Sequence, residues 1–163
     1  MSYILKEVVL RTNNTPEGME KISQLWGDIL SKKISLLPEN KNELLISKYS
    51  NYESDENGEY DLIVMRRELK FLLELDERVQ NREFIKYEEI DDNIENCARK
   101  VWNRVWEDKK NNKLDRAYIE DYQLDILPIF SKDGKCHSIL YISVKEKNTI
   151  KIRKYKSSDC QEI

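Results

Sequence analysis

The chain has 163 residues, of which 39% are hydrophobic and 36% charged, and its formal net charge is −3. This length suits a single domain with its own core, and the composition is that of a globular protein rather than a disordered one. The negative charge argues against general binding of nucleic acid, which needs a positive surface. No apolar stretch fits a signal peptide or a membrane span. We therefore expect a cytoplasmic protein that contacts neither nucleic acid nor membrane directly.

Cysteine and histidine are scarce. Cys97, Cys136 and Cys160 are odd in number and show no short paired spacing, so we expect free thiols in a reducing compartment. His137 is the only histidine. A single histidine excludes a metal site built from several histidines. Any serine–histidine–aspartate arrangement would depend on this one residue. The sequence therefore predicts neither a metal nor a cofactor.

The first half of the chain has the pattern strand, helix, strand, strand. Residues 3–12 show the weak apolar alternation of a strand. Thr15 and Pro16 are typical of a helix start, and apolar residues follow at helical spacing to about residue 33. Residues 43–66 are typical of a hairpin, with its sharpest turn at Asn57-Gly58.

The second half repeats this order. A strand is predicted at 83–90, and a capping box formed by Asp92 and Glu95 then indicates a helix start. The clearest helix of the chain follows, and strands are predicted at 115–125 and 137–145.

Two stretches stay ambiguous. The leucine-rich residues 67–80 fit either a continued strand or a short helix. Residues 146–163 fit an extra edge strand whose lysines discourage aggregation, or a frayed tail.

The two halves, about 3–66 and 82–145, carry apolar helical stripes at the same spacing. The stripes are Ile22, Leu25, Trp26, Ile29 and Leu30 in the first half, and Ala98, Val101, Trp102, Val105 and Trp106 in the second. Neither stripe can be buried within one half. The sequence therefore predicts an α+β fold within a single domain, 1–145. Duplicated strand-helix-strand-strand units would form one antiparallel sheet with two helices, and ligands often bind in such a cleft between halves.

The stretch from Arg116 to Asp125 is the most informative for function. Side chains of a strand alternate between faces, so one face would carry Tyr118, Glu120, Tyr122 and Leu124. The other would carry Ala117, Ile119, Asp121, Gln123 and Asp125. A carboxylate held against aromatic walls should be protonated, paired within the protein or matched by a ligand cation. The spacing alone favours a cross-strand salt bridge from Glu120 to a lysine or arginine.

Three groups of residues, spread over about 3–145, together carry a family resemblance. They are Leu10-Arg11-Thr12-Asn13-Asn14 with Ile22, Leu25 and Trp26; Tyr49 with Tyr52-Glu53-Ser54-Asp55, Gly58 and Tyr60; and Trp102, Trp106, Tyr118, Glu120 and Tyr122 with Ile139-Leu140-Tyr141-Ile142. They resemble the GyrI-like small-molecule-binding superfamily, which includes the effector-binding domains of AraC- and MerR-type multidrug regulators.

The resemblance implies a duplicated fold with a ligand between its halves and a pocket glutamate that faces cationic, lipophilic aromatic compounds. It reverses the preference for a salt bridge and assigns that glutamate to Glu120. The ligand-binding residues it implies are Glu120, Tyr118, Tyr122, Tyr141, Tyr87, Trp106 and Tyr49. The sequence departs from the family at the pocket rim, where Val64-Met65-Arg66-Arg67 and the leucine-rich 69–75 replace the usual glycine and proline.

The expected function is that of a stand-alone effector-binding protein, because no helix-turn-helix precedes or follows the domain. It would bind small cationic or amphipathic aromatic compounds, in transcription regulation or in sequestration of drugs or toxins. One alternative is a hydrolase of electrophilic DNA-alkylating natural products that uses the pocket glutamate. Another is a protein–protein inhibitor of the gyrase-inhibitor type, in which the acidic loop 52–56 mimics a DNA backbone. Pairing into a homodimer through a sheet edge is left open.

Overall fold

The computed structural model describes residues 6–38 and 40–145, so the predicted tail at 146–163 and Cys160 lie outside the described residues. The elements in chain order are β1 (Glu7–Thr12), α1 (Pro16–Leu30), β2 (Glu43–Ser50), β3 (Tyr60–Glu68), α2 (Lys70–Gln80), β4 (Phe84–Asp91), α3 (Ile94–Lys110), β5 (Glu120–Ile126) and β6 (Cys136–Ser143). The strands form one antiparallel sheet in the order β1-β3-β2-β5-β6-β4. The predicted α+β fold is confirmed.

The sheet has a pseudo-two-fold axis between β2 and β5. Its strand order is symmetric, with β1, β3 and β2 of the first half matched by β4, β6 and β5 of the second. Equivalent positions of the two halves differ by 76 residues. β2 ends at Ser50 and β5 at Ile126, and β3 begins at Tyr60 and β6 at Cys136. Ser47 and Gln123 differ by the same 76 residues and pair directly with each other. They therefore lie at the axis.

The two faces of the sheet are covered differently. On the face that we call the cleft face, α1 packs with Ile29 against Leu62 and Val64, and α3 packs with Val101 against Leu140. On the face that we call the α2 face, α2 covers a second core of Ile46, Met65, Phe84, Tyr122, Leu124 and Tyr141. Each half thus contributes one helix to the cleft face, as the repeat predicts, while α2 is an additional helix that links the halves.

Both long helices begin at side-chain caps. The Thr15 hydroxyl accepts a hydrogen bond from the Gly18 N–H at 3.1 Å, and Pro16 opens α1, as predicted. At α3 the cap is Asn93, whose side chain accepts from the Asn96 N–H at 3.1 Å. Asn93 is one of three adjacent residues, 91–93, that the sequence offers as N-caps, and Asp92 of the predicted capping box precedes it.

The strand predicted at 115–125 begins only at Glu120. Tyr118 has a φ of +55°, in the left-handed region that a bulky residue rarely adopts. The chain just before it is held instead by an isolated bridge between Arg116 and Val144. Because the extended backbone is interrupted, strand alternation does not place Tyr118 and Glu120 on a common face.

The ambiguous residues 67–80 divide between two elements. β3 runs on to Glu68, and α2 then turns Leu75 into the core, where it is 1% exposed. Leu73 lies two residues before Leu75, on the outer side of the helix, and is 70% exposed. The leucine-rich segment that departs from the family pattern therefore covers the α2 face.

We expect Leu75→Ala to lower the free energy of unfolding by about 2–5 kcal/mol, because it leaves a cavity between α2 and the sheet. Leu73→Ala, on the same helix, is the matched control and should change stability by no more than about 0.5 kcal/mol. Urea unfolding followed by circular dichroism measures both. Equal effects of the two substitutions would contradict the packing of α2 on this face.

Candidate functional site

The candidate site is the cleft between α1 and α3, above β2 and β5, which we call the interhelical cleft. Its floor is made by Ser47 and Tyr49 of β2 and by Asp121, Gln123 and Asp125 of β5. The register pairs Ser47 with Gln123 and Tyr49 with Asp121, so these side chains share the cleft face. The floor is thus polar, although a large apolar core lies on each side of it.

Aromatic side chains from both halves form the walls. The ring centroids of Trp102 and Tyr49 are 5.5 Å apart in an edge-to-face contact, and Trp106 lies 6.0 Å from Trp102 and is 44% exposed. Trp26 precedes Trp102 by 76 residues. The pseudo-two-fold axis therefore places Trp26 on the opposite wall, on α1.

One end of the cleft is filled by the protein itself. The Asp121 carboxylate is fully buried and accepts hydrogen bonds from Arg116 Nη2 at 2.8 Å, from Tyr52 Oη and from the Ser143 N–H at 2.8 Å. The Arg116 guanidinium also lies 4.4 Å from the ring centroid of Tyr118. Removal of one partner of a buried ion pair is strongly destabilising, since the other charge then stays buried without it.

The hairpin loop 51–59 closes this end further. Glu56 accepts hydrogen bonds from Lys109 Nζ at 2.6 Å and from Tyr118 Oη at 2.8 Å. We call Glu56, Lys109 and Tyr118 the clasp. Burial alone would raise the pKa of Glu56, but the bonds from Lys109 and Tyr118 hold that pKa below its ordinary value. The clasp therefore stays charged at neutral pH and ties the first half to α3.

The other end of the cleft contains Asp125. Its Oδ1 accepts from Ser138 Oγ at 2.7 Å, and its Oδ2 accepts from Gln123 Nε2 at 2.9 Å. Gln123 Oε1 in turn accepts from Tyr49 Oη at 2.7 Å and from Trp102 Nε1 at 2.9 Å. This chain of bonds fixes the orientation of the Asp125 carboxylate against the aromatic walls.

Asp125 has no cationic partner among residues 6–38 and 40–145. Part of the residue is open to solvent, yet the surrounding protein withdraws enough water to raise its pKa above the ordinary aspartate value, despite the bonds from Ser138 and Gln123. Asp125 is therefore a partly exposed residue whose ionised carboxylate would have no cationic side chain beside it among the described residues.

Glu120 lies on the α2 face instead. Its carboxylate contacts Arg78 Nη1 at 2.7 Å and Lys48 Nζ at 3.5 Å, so it forms the cross-strand salt bridge that the spacing alone favoured. Burial would raise the pKa of Glu120, but these two cations hold it below the ordinary value. A ligand role for Glu120 stays a prediction, and it requires the Arg78 contact to open.

The remaining predicted residues separate into three places. Tyr49, Tyr118 and Trp106 lie at the interhelical cleft. Tyr87 packs beneath α3, where its hydroxyl donates to Asp108 at 2.8 Å. Tyr122 and Tyr141 lie under α2, and Tyr141 donates to Asp76 of that helix at 2.9 Å. The structure therefore does not bring the seven residues together in one pocket.

Sequence reasoning did not assign Asp125, Gln123, Asp121, Trp102, Arg116 or Tyr52 to the site. A signal for the first of them was present in the sequence. The helical stripes repeat after 76 residues, and by the same interval Asp125 is the position in the second half that is equivalent to Tyr49 in the first. That interval would have placed Asp125, and not Glu120, on the face of Tyr49.

Further chemistry is limited in the described part of the chain. Cys97 and Cys136 are buried free thiols, as predicted. No group of three or more histidine, cysteine, aspartate and glutamate side chains there is arranged to hold a metal ion. None of the helices described combines the length and apolarity needed to cross a lipid bilayer.

Comparison with known proteins adds a fold neighbour. No protein-family model matches the chain, and no curated protein matches it. Among solved structures, the chain is similar to VCH_CASS2, an integron cassette protein from the mobile metagenome of Vibrio cholerae. The two share 19% sequence identity over 86% of this chain and 92% of the other, with a TM-score of 0.58. At this identity the likeness concerns the fold alone, and the resemblance to GyrI-like domains stays a prediction.

We expect Asp121→Asn to lower the free energy of unfolding by about 3–5 kcal/mol. It removes the carboxylate 2.8 Å from the buried Arg116 guanidinium and leaves only Glu56, at 3.9 Å, as a counter-charge. Glu68→Gln is the control, since its pair with Lys70 is exposed and such pairs contribute at most about 1 kcal/mol. Chemical denaturation at neutral pH measures both variants. A loss from Asp121→Asn as small as that from Glu68→Gln would contradict the role given to the buried pair.

Proposed function

We propose that the protein binds small organic cations with an aromatic or other apolar body in the interhelical cleft. The observation that carries this proposal is the Asp125 carboxylate, which is linked to Tyr49 and Trp102 through Gln123 and has no cationic partner in the described residues. The fold neighbour neither adds to this proposal nor detracts from it.

The charge argument rests on compensation. An ionised carboxylate in a partly dehydrated recess is costly unless an opposite charge approaches it. A ligand cation would supply that charge, and water exclusion by Trp102 and Tyr49 would strengthen the attraction relative to bulk solvent. A neutral ligand of the same shape would gain none of this energy.

The aromatic argument rests on exposed ring surface. Trp106 presents part of its indole to solvent beside a recess of about 400 Å³ that is lined by α3 alone, through Asn103, Trp106, Glu107 and Lys110. A cation near an aromatic face gains about 0.5–2 kcal/mol, depending on desolvation. A ligand that combines a cation with an apolar body would therefore use both features of the cleft.

The filled end of the same cleft provides an internal precedent. There the Arg116 cation is held 2.8 Å from the Asp121 carboxylate, 4.4 Å from the Tyr118 ring centroid and 5.9 Å from that of Trp102. At the opposite end the Asp125 carboxylate has no cationic side chain beside it among residues 6–38 and 40–145. The proposed ligand would make the contacts there that Arg116 makes at the filled end.

The gyrase-inhibitor alternative has less support. It needs an acidic loop whose charges are free to mimic a DNA backbone, whereas Glu56 is held by Lys109 and Tyr118. No particular contact favours the hydrolase alternative over binding. A regulatory role and a sequestering role both remain compatible with the proposed binding.

We expect Asp125→Asn to weaken binding of tetraphenylphosphonium at least about tenfold, which corresponds to roughly 1.4 kcal/mol. Binding of triphenylphosphine oxide, a neutral compound of related shape, should be the same in wild type and variant. Glu120→Gln is the matched control, because Glu120 is paired with Arg78 on the opposite face. Isothermal titration calorimetry on the three proteins measures these affinities.

The same titrations separate the competing accounts. Equal losses for the cation and the neutral compound would contradict charge recognition by Asp125. A loss confined to Glu120→Gln would move the site to the α2 face. Absence of binding of any lipophilic cation by the wild-type protein would refute the proposed function.

We also expect Asp125→Asn to stabilise the ligand-free protein at neutral pH. The pKa of Asp125 is raised in the folded state, so the folded protein holds this proton more tightly than the unfolded chain does. The contribution of this protonated carboxyl group to folding stability is therefore fully present below the ordinary aspartate pKa of about 3.9. It is lost as the pH rises through the raised pKa of the folded state. Urea titrations across this pH range should show that the free energy of unfolding falls less with rising pH in Asp125→Asn than in wild type. The same pH dependence in both proteins would contradict this prediction.

A further inference from the structure

The loop 127–135 between β5 and β6 is the symmetry counterpart of the loop 51–59 between β2 and β3. Each has nine residues and is bounded by strand ends that differ by 76 positions. Each also carries a glycine turn at the same place, Asn57-Gly58 in the first and Asp133-Gly134 in the second. The two loops therefore stand at opposite ends of the interhelical cleft.

The first loop seals its end of the cleft. Tyr52 donates to the buried Asp121 carboxylate, and Glu56 bonds to Lys109 of α3. Through these two residues the loop reaches across the sheet to the other half.

The second loop lacks the residues that would do the same. The position equivalent to Tyr52 is Pro128, and the position equivalent to Glu56 is Lys132. The helix position equivalent to Lys109 is Lys33, so a clasp at this end would bring two cations together. The end that contains Asp125 therefore has no equivalent of the clasp at these positions.

The second loop presents apolar side chains instead. Ile129 is 82% exposed and Phe130 is 78% exposed, and both lie in the short 3-10 turn Pro128–Phe130. The part of the loop after this turn is anchored, because Asp133 accepts from Ser131 Oγ and contacts His137 Nε2 at 2.9 Å. The apolar pair therefore stands on an anchored base and is exposed among the described residues.

The turn is close enough to act on the site. Ile129 follows Asp125 by four residues, which spans at most about 14 Å of extended chain. A ligand cation held at Asp125 would leave its apolar body at the open end. Two exposed apolar side chains are then available to remove that body from water.

We propose that the loop 127–135 folds over the open end of the interhelical cleft when a ligand occupies it, so that Ile129 and Phe130 contact the apolar body of the ligand. This inference rests on the proposed function. It assigns to these two residues the selection of ligands by their apolar surface, while Asp125 selects them by charge.

The first test compares the affinity of tetraphenylphosphonium for wild type, the double variant Ile129→Ser/Phe130→Ser and the control Leu73→Ser. Leu73 is equally exposed but lies on α2, on the other face. We expect about tenfold weaker binding by the double variant and no change in the control. The melting temperature of the ligand-free double variant should match wild type, because both side chains are exposed before binding.

The second test follows tryptic cleavage after Lys132, identified by mass spectrometry. Tetraphenylphosphonium should slow this cleavage in wild type and leave it unchanged in Asp125→Asn. Unchanged affinity in the double variant would overturn the ligand contact, and unprotected Lys132 in the ligand-bound wild type would overturn closure. Failure of the wild type to bind the cation would instead refute the proposed function itself.

Discussion

The pairing of β2 with β5 at Ser47 and Gln123 is the constraint on which the rest of the molecule depends. It joins the two halves into one sheet, and it lies at their pseudo-two-fold axis. Because side chains alternate along each strand, this register decides which residues face the cleft and which face α2. A slip of one residue would exchange Asp125 for Leu124 and would place Glu120 on the cleft face.

The two ends of the cleft show how a symmetric fold can carry an asymmetric site. At one end the chain supplies its own cation, Arg116, which pairs with Asp121 and is covered by the clasp. At the other end the symmetry-related positions carry Asp125 where the filled end has Tyr49, and Lys132 where it has Glu56. Asp125 has no cationic partner among the described residues. The filled end stabilises the joint between the halves, and the open end leaves surface and charge available for a ligand.

The sequence was sufficient for the fold and insufficient for the orientation of the site. Periodicity located the helical stripes and five of the six strands closely, and the repeated tryptophans indicated the duplication. It failed at Tyr118, where a positive φ interrupts the strand, because a left-handed residue that is neither glycine nor asparagine has no signature in the sequence. The late start of the strand removes Tyr118 from the face that Glu120 shares with Tyr122 and Leu124, and that face lies under α2.

The covering of the α2 face also lay beyond sequence reasoning. The segment 69–75 has leucines at both buried and exposed positions, so its apolar pattern does not distinguish a helix from a continued strand. Only the packing of Leu75 against Phe84 and Tyr122 determines the outcome. The resemblance to a ligand-binding family predicts tyrosines, a tryptophan and a carboxylate at the site, and this stays a prediction. The register of the sheet decides which carboxylate is open to a ligand.

The central claim is that Asp125 is the carboxylate that meets the ligand cation. The most direct measurement is a carbon-13 NMR titration of the Asp125 and Glu120 carboxyl groups, with and without tetraphenylphosphonium. We expect the cation to lower the pKa of Asp125 from its raised value and to leave that of Glu120 unchanged, because only Asp125 lacks a positive partner before binding. An unchanged pKa at Asp125 together with a shift at Glu120 would contradict the account and place the ligand beneath α2.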